Sequence, residues 1–265
     1  MPDWLDVASF HGRVYDNLHS PNALEQPLSD RVSRANSLPS ELERMIAARP
    51  EYYASCPGRL GHAPANANTQ KRPKQWSSHV IHPALCRFII HANRALDYST
   101  LASIYRGAPS EKPFSMASCP ECLTAARIAL EDREACIIVV VDAPTWPPSL
   151  DLWVNEILLL APFMPFLILL CNIIESSDPS DLERLQRLID GLHTLTGSFR
   201  YSSCIRQLRI FSALYDVVAN YVQTKARRRS ADLIGDQYTD LDIDTYLIGH
   251  DWSDIESDYC ITSQI

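Results

Sequence analysis

The run Ile157 to Ile174, ILLLAPFMPFLILLCNII, carries no charged side chain and limits what the rest of the chain can do. Such a segment is stable only where water cannot reach it. Its length approaches the roughly 20 residues that cross a bilayer. Pro162 and Pro165 interrupt it near its centre, and Asn172 lies toward its end. Two structures satisfy it: a single membrane span over residues 157–174, or a helix-Pro-helix element enclosed by neighbouring helices. The enclosed reading is preferred.

The enclosing material is available. A chain of 265 residues can bury one sizeable core, and 46% of its residues are hydrophobic. Gly is scarce at 8 and Pro plentiful at 18, concentrated at element ends and in loops. Long aliphatic runs with few turn clusters favour an all-α, irregular multi-helix domain over a sandwich or barrel.

Helical periodicity runs through residues 3–20 on Trp4, Ala8, Val14, Tyr15 and Leu18, until Ser20-Pro21 breaks it. It resumes over 29–48, punctuated by Pro39. Residues 56–80 have turn-forming composition and no apolar period. A further helix is expected over 83–106 on Leu85, Phe88, Ile89, Ala92 and Leu96, and another over 119–140, with Ser118 as cap and Pro120 in its first turn. The clearest start is Ser177-Asp178-Pro179, followed by an apolar stripe of Leu182, Leu185, Leu188, Ile189, Leu192 and Leu195. Glu183 and Arg187 add an i,i+4 pair on its outer face. Residues 203–224 repeat the pattern with Ile205, Leu208, Phe211, Leu214, Val218 and Tyr221, and the basic run Lys225 to Arg229 suits the negative end of that helix. The expected organisation is an N-terminal helical segment over 1–55, a linker over 56–80, a helical core over 81–230 and a distinct tail over 231–265.

That tail holds nine Asp or Glu and no Lys or Arg. Tyr238, Leu241, Tyr246, Leu247, Trp252 and Ile255 are interleaved among the acids. Acidic-hydrophobic alternation is the composition of disordered activation segments. Tyr246, Leu247, Trp252 and Ile255 are therefore the expected partner anchors. The alternative is a solubilising tail folded back on the helices.

The formal charge of −8 argues against a chain built to coat nucleic acid. Basic residues do cluster locally: Lys71, Arg72 and Lys74 in the linker, and Lys225, Arg227, Arg228 and Arg229 at a helix end. Such clusters can serve as nuclear localisation signals; the alternative is ordinary solvation and dipole complementation.

The chain has 8 cysteines but opens Met-Pro-Asp-Trp-Leu-Asp, without the basic flank and apolar stretch of an export signal. Reduced thiols are expected. Only Cys119 and Cys122 form a CxxC, and no second pair lies at a spacing that completes a zinc site. A redox or metal protein built on that pair is kept as an alternative. His79 and His82 form an HxxH in the linker, which is weak metal evidence, and His91 and His193 read as ordinary helix-face residues. No GxGxxG, P-loop, GxSxG or HExxH occurs. No catalytic, cofactor-binding or metal-ligating residue is nominated, and no enzyme activity is expected.

An ordered set of short patterns carries a family resemblance. Cys119, Cys122, Ala125, Ala126 and Arg127 come first. Pro162, Phe163, Pro165 and Phe166 follow, then Ile174, Glu175, Asp178, Asp181 and Leu182. With the N-terminal FHGRVYDNLHSPNAL (Phe10 to Leu24), these span about 200 residues. In order and spacing the chain resembles the C-terminal half of the fungal-specific transcription factor domain, the middle homology region of fungal zinc-cluster transcription factors. The resemblance implies an all-helical regulatory domain, a nuclear location, a role in transcription regulation, coactivators or other regulators as partners, and homo- or hetero-oligomers. Zinc is expected only in a DNA-binding module missing from this chain, which alone should not read DNA specifically. Departures are plain. The six-cysteine array is not here, the first half of the regulatory domain is expected to be absent, residues 56–80 match nothing in the family, and Pro39 interrupts a usually continuous stretch.

Overall fold

The computed structural model describes residues 4–48, 83–108, 119–142, 163–196 and 204–232, and among them every regular element is helical. In chain order these are α1 (Trp4–Val14), a π-helical turn (Tyr15–His19), α2 (Pro21–Glu25), α3 (Leu28–Ala47), α4 (Pro83–Gly107), α5 (Pro120–Asp142), α6 (Phe163–Ser176), α7 (Pro179–Thr196) and α8 (Cys204–Asp232). The linker at 56–80 and most of the acidic tail lie outside the described residues.

The first helices turn on Ser20. Its N–H closes the π turn on Tyr15 O at 2.8 Å, and its Oγ accepts from Ala23 N at 3.1 Å. Pro21 then occupies the first position of α2, where its missing N–H has no intrahelical partner to lose. Ser20-Pro21 therefore ends one helix and starts the next. The face turned inward is Phe10, Val14 and Leu18. Ala8 and Tyr15, expected on that stripe, are exposed, because the buried spacing is i,i+4,i+8 from Phe10. α3 continues through Pro39 and buries Ala35, Leu38 and Leu42.

α4 and α5 form the most extensive pair, packed antiparallel. The thiol of Cys122 donates to Ala102 O at 3.4 Å and that of Cys136 to Phe88 O at 3.8 Å. Between those ends both helices bury small residues: Ala92, Ala95 and Ala102 on α4, and Ala125, Ala126 and Ala129 on α5. Small side chains let two helix backbones approach closely.

α6 and α7 pack on α5, and α8 packs on α7 and α6. α6 begins at Phe163, so Pro165 sits in its first turn, and Pro162 lies outside the described residues. A first-turn proline sacrifices no intrahelical bond. No helix among the described residues is long and apolar enough to cross a membrane. Pro165, Phe166, Ile168, Leu169, Leu170 and Ile173 are instead buried against neighbours. Phe166 stacks on Phe211 of α8 with ring centroids 4.0 Å apart and planes 4° from parallel.

The predicted α7 stripe is the inward face: Leu185, Leu188, Ile189, Leu192 and Leu195 are buried, and Leu182 packs at its edge. Gly191 lets α7 sit on α5, since a Cβ there would meet Ile137 Cγ2 at 3.3 Å. The Glu183–Arg187 pair forms at 3.3 Å. α8 runs longer than its periodicity implied, through the basic run to Asp232. Ile205 faces outward and Cys204 is buried in its place.

Between α6 and α7 the chain reverses at Ser177, whose φ of 58° is left-handed backbone in a residue other than glycine. Its N–H caps Ile173 O at 2.8 Å, while its buried Oγ has no hydrogen-bond partner. Replacing Ser177 with Gly should therefore stabilise the fold by about 0.5–1 kcal/mol, the relief of left-handed strain exceeding the added freedom of the unfolded chain. Replacing Phe166 with Ala should cost about 3–5 kcal/mol through the cavity left beside Phe211. Chemical denaturation of the three proteins checks both signs.

Candidate functional site

The residues singled out in the sequence meet at one place more than any other: the junction of α5, α6 and α7. Asp181 lies in the first turn of α7 and is completely buried. Arg127 on α5 grips it side-on, Nε to Oδ1 at 2.8 Å and Nη2 to Oδ2 at 2.7 Å. Asn172 on α6 donates to Oδ2 at 3.0 Å. Arg127 Nη2 also reaches Asp178 Oδ2 at 3.4 Å. Hydrogen bonding to Asp181 raises the Arg127 pKa, against the opposing effect of its partial burial. The buried carboxylate is thus satisfied by a fork and an amide, which is what a charge without water requires.

Asp178 caps α7 as expected: Ser180 N and Oγ both donate to its Oδ1, at 2.9 and 2.8 Å. The Ser180 bonds are the main cause of a lowered Asp178 pKa. Arg184 and Arg187 extend the ionic layer outward, to Glu131 at 2.9 Å and Glu134 at 3.3 Å.

The CxxC has a structural explanation. Cys119 is the N-cap of α5 and Cys122 its third residue, which is the spacing of a helix cap. Cys122 N donates to Cys119 Sγ at 3.4 Å, and Leu123 N to Cys119 O at 3.1 Å. The cap was expected at Ser118, which lies outside the described residues. Partial desolvation pushes the Cys119 thiol above its ordinary value, the opposite of an activated redox cysteine. Among the described residues no group of three or more His, Cys, Asp or Glu could hold a metal ion.

A second polar cluster ties α4 to α5 at mid-length. Buried Asp132 receives Arg94 Nε at 3.1 and 2.9 Å, and His91 Nδ1 lies 2.8 Å from its Oδ1. His91 is therefore more than a face residue, whereas His193 is exposed. A groove of about 300 Å³ lies among α1, the π turn, α4 and α6, bordered by His11, Tyr15, Thr100, Phe163 and Met164.

Lys225 is not simply part of a basic surface. Its Nζ donates to Ile174 O at 3.1 Å and Glu175 O at 3.4 Å, capping the C-terminus of α6. Arg227 is exposed and Arg228 half-buried, while the Arg229 side chain lies outside the described residues. So do Lys71, Arg72, Lys74, His79 and His82, and the proposed anchors Tyr246, Leu247, Trp252 and Ile255.

Periodicity hid Arg133. It is fully buried on α5, between the turns that present Ala129, Leu130, Cys136 and Ile137. An arginine at that position on an apolar stripe is a legible signal of a buried charge. Its Nη2 donates to Gln207 Oε1 of α8 at 2.9 Å, while Nε and Nη1 have no hydrogen-bond partner.

The lowered Asp178 pKa fixes the sign of a pH effect. Stability from that carboxylate is present above its ordinary value of 3.8 and is lost as pH falls through its lower folded value. Asp178→Asn should flatten the acid limb of the stability curve below about pH 4 and leave His-range behaviour unchanged, as read by urea midpoints across pH. A parallel acid limb in both proteins would remove Asp178 from the account. No protein-family model, curated protein or solved structure matches this chain.

Proposed function

We propose that this chain is the helical regulatory module of a transcription regulator, working through partner binding in the nucleus and not through chemistry. One observation supports the reading above others. Although Phe163 and Glu175 are exposed, Cys122, Ala125, Ala126, Arg127, Phe166, Asp178 and Asp181, among the residues that carry the resemblance to the fungal regulatory domain, lie in the helical core or at its polar junction. Each has a packing or capping task there, as expected of a family signature that specifies a fold. The coarser fact, an all-α domain, agrees with it. Exposed Phe163, Met164, Ile138 and Val141 add apolar surface suited to association, by a second copy or another regulator.

In this reading the tail is the effector. Its acids would steer it toward a coactivator groove with a basic rim, with Tyr246, Leu247, Trp252 and Ile255 as the anchors. Fused to an unrelated DNA-binding domain, residues 231–265 should activate a reporter. Leu247→Ala with Trp252→Ala should abolish that activation, and neutralising one or two Asp should only weaken it. A silent fusion at normal expression would overturn the effector role. Nuclear import is tested separately with a fluorescent fusion carrying Ala at Lys71, Arg72, Lys74 and Arg227. Lys225 is left intact because it also caps α6. Loss of nuclear accumulation is expected, and an unchanged nuclear signal would remove those residues from the signal.

A further inference from the structure

Arg127 and Arg133 lie six residues apart on α5 and are treated in opposite ways. Arg127 has a matched carboxylate. Arg133 is only 2% exposed and its one hydrogen-bond partner is a neutral amide, Gln207 Oε1. Two of its three nitrogens have no partner. The groups that act electrostatically on it are the thiols of Cys204 and Cys136, not a carboxylate. Burial pushes Cys136 up to about 12, so that thiol is neutral and supplies no counter-charge. Desolvation lowers Arg133 itself to about 9, which still leaves it cationic at neutral pH. A buried cation with unused donors carries a large unreturned desolvation cost.

We propose that Arg133 anchors a binding site for a small carboxylate where it meets Gln207 of α8. Whichever hydrogen of Nη2 goes to Gln207, the other forms a fork with Nε or with Nη1. That fork matches the two oxygens of a carboxylate. Gln207 fixes the plane of the guanidinium and so orients the fork. Leu130, Ile137 and Phe211 belong to the buried core that α5 and α8 share, so a short, weakly polar remainder suits the site best. The site is the complement of Asp181: one arginine of α5 closes on an internal carboxylate, the other is completed by an external one. Helix α8, which carries Gln207, also ends in the basic run, so an anion at Arg133 bears on the element leading to the tail.

Sodium acetate is the probe, compared with sodium chloride at constant ionic strength, and the readout is the thermal midpoint of the full chain. Acetate should raise Tm in a saturable way, by several degrees above the chloride control. Arg133→Met should lose the acetate-specific rise. Gln207→Glu places a carboxylate at the guanidinium from within, and should raise Tm without acetate and abolish the further response. If Arg133→Met does not fold, Gln207→Glu decides alone. Equal responses to acetate and chloride in the native chain, or an undiminished acetate rise in Gln207→Glu, would overturn the site.

Discussion

Asp181 is sealed from water within a single turn of a helix start, and three helices meet to satisfy it. Its position forces the others. Arg127 must approach from α5 with its planar fork aligned, and Asn172 from α6 with its amide turned inward. The tight reversal through Ser177 and Asp178 is what sets α6 and α7 at the distance where both can reach. Apolar packing supplies most of the driving force, as in any core, but apolar packing tolerates sliding. A bidentate ion pair with a third donor does not. Removing one partner leaves an uncompensated buried charge, which costs far more than the intact pair contributes.

The remaining architecture builds outward from that junction. α5 is held from one side by α4, through the alanine-rich seam, the two thiol bonds and the Asp132 cluster. On the other side α7 approaches closely at Gly191, and α8 closes the layer through the Phe166–Phe211 stack and the Lys225 cap on α6. α5 is consequently buried on several sides, which explains why it carries two arginines of such different character. Near the α6–α7 turn its guanidinium finds a carboxylate; nearer α8 it finds only Gln207.

How much of this was legible depends on the kind of interaction. α7 was readable in full, because an Asp-Pro start and a six-residue stripe are local signals that packing did not override. The start of α5 was located, but its cap was given to Ser118, since cysteine is not among the usual capping residues and a CxxC invites a metal reading. Of the apolar run at 157–174, residues 163–174 lie in a helix that buries most of its apolar side chains, and Pro165 falls in its first turn. In the first helical stretch Val14 and Leu18 were read as inward and are, but Ala8 and Tyr15 are exposed and Phe10 was left out. The pairing of Arg127 with Asp181 joins residues 54 positions apart, and no periodicity reports on that. The resemblance marked both residues without giving their task. Arg133 was visible in principle as a charge on an apolar stripe, and became informative only once its neighbours were known.

The central claim, that the Asp181 junction organises the helices, is tested most directly by a double-mutant cycle. Arg127→Ala, Asp181→Ala and the double variant are compared with the native chain by urea denaturation. The account predicts that each single change costs about 3–5 kcal/mol, that the double variant costs well under their sum, and that the coupling is about 1.5–3 kcal/mol. Additive losses, with coupling below about 0.5 kcal/mol, would contradict it and leave the junction as one contact among many.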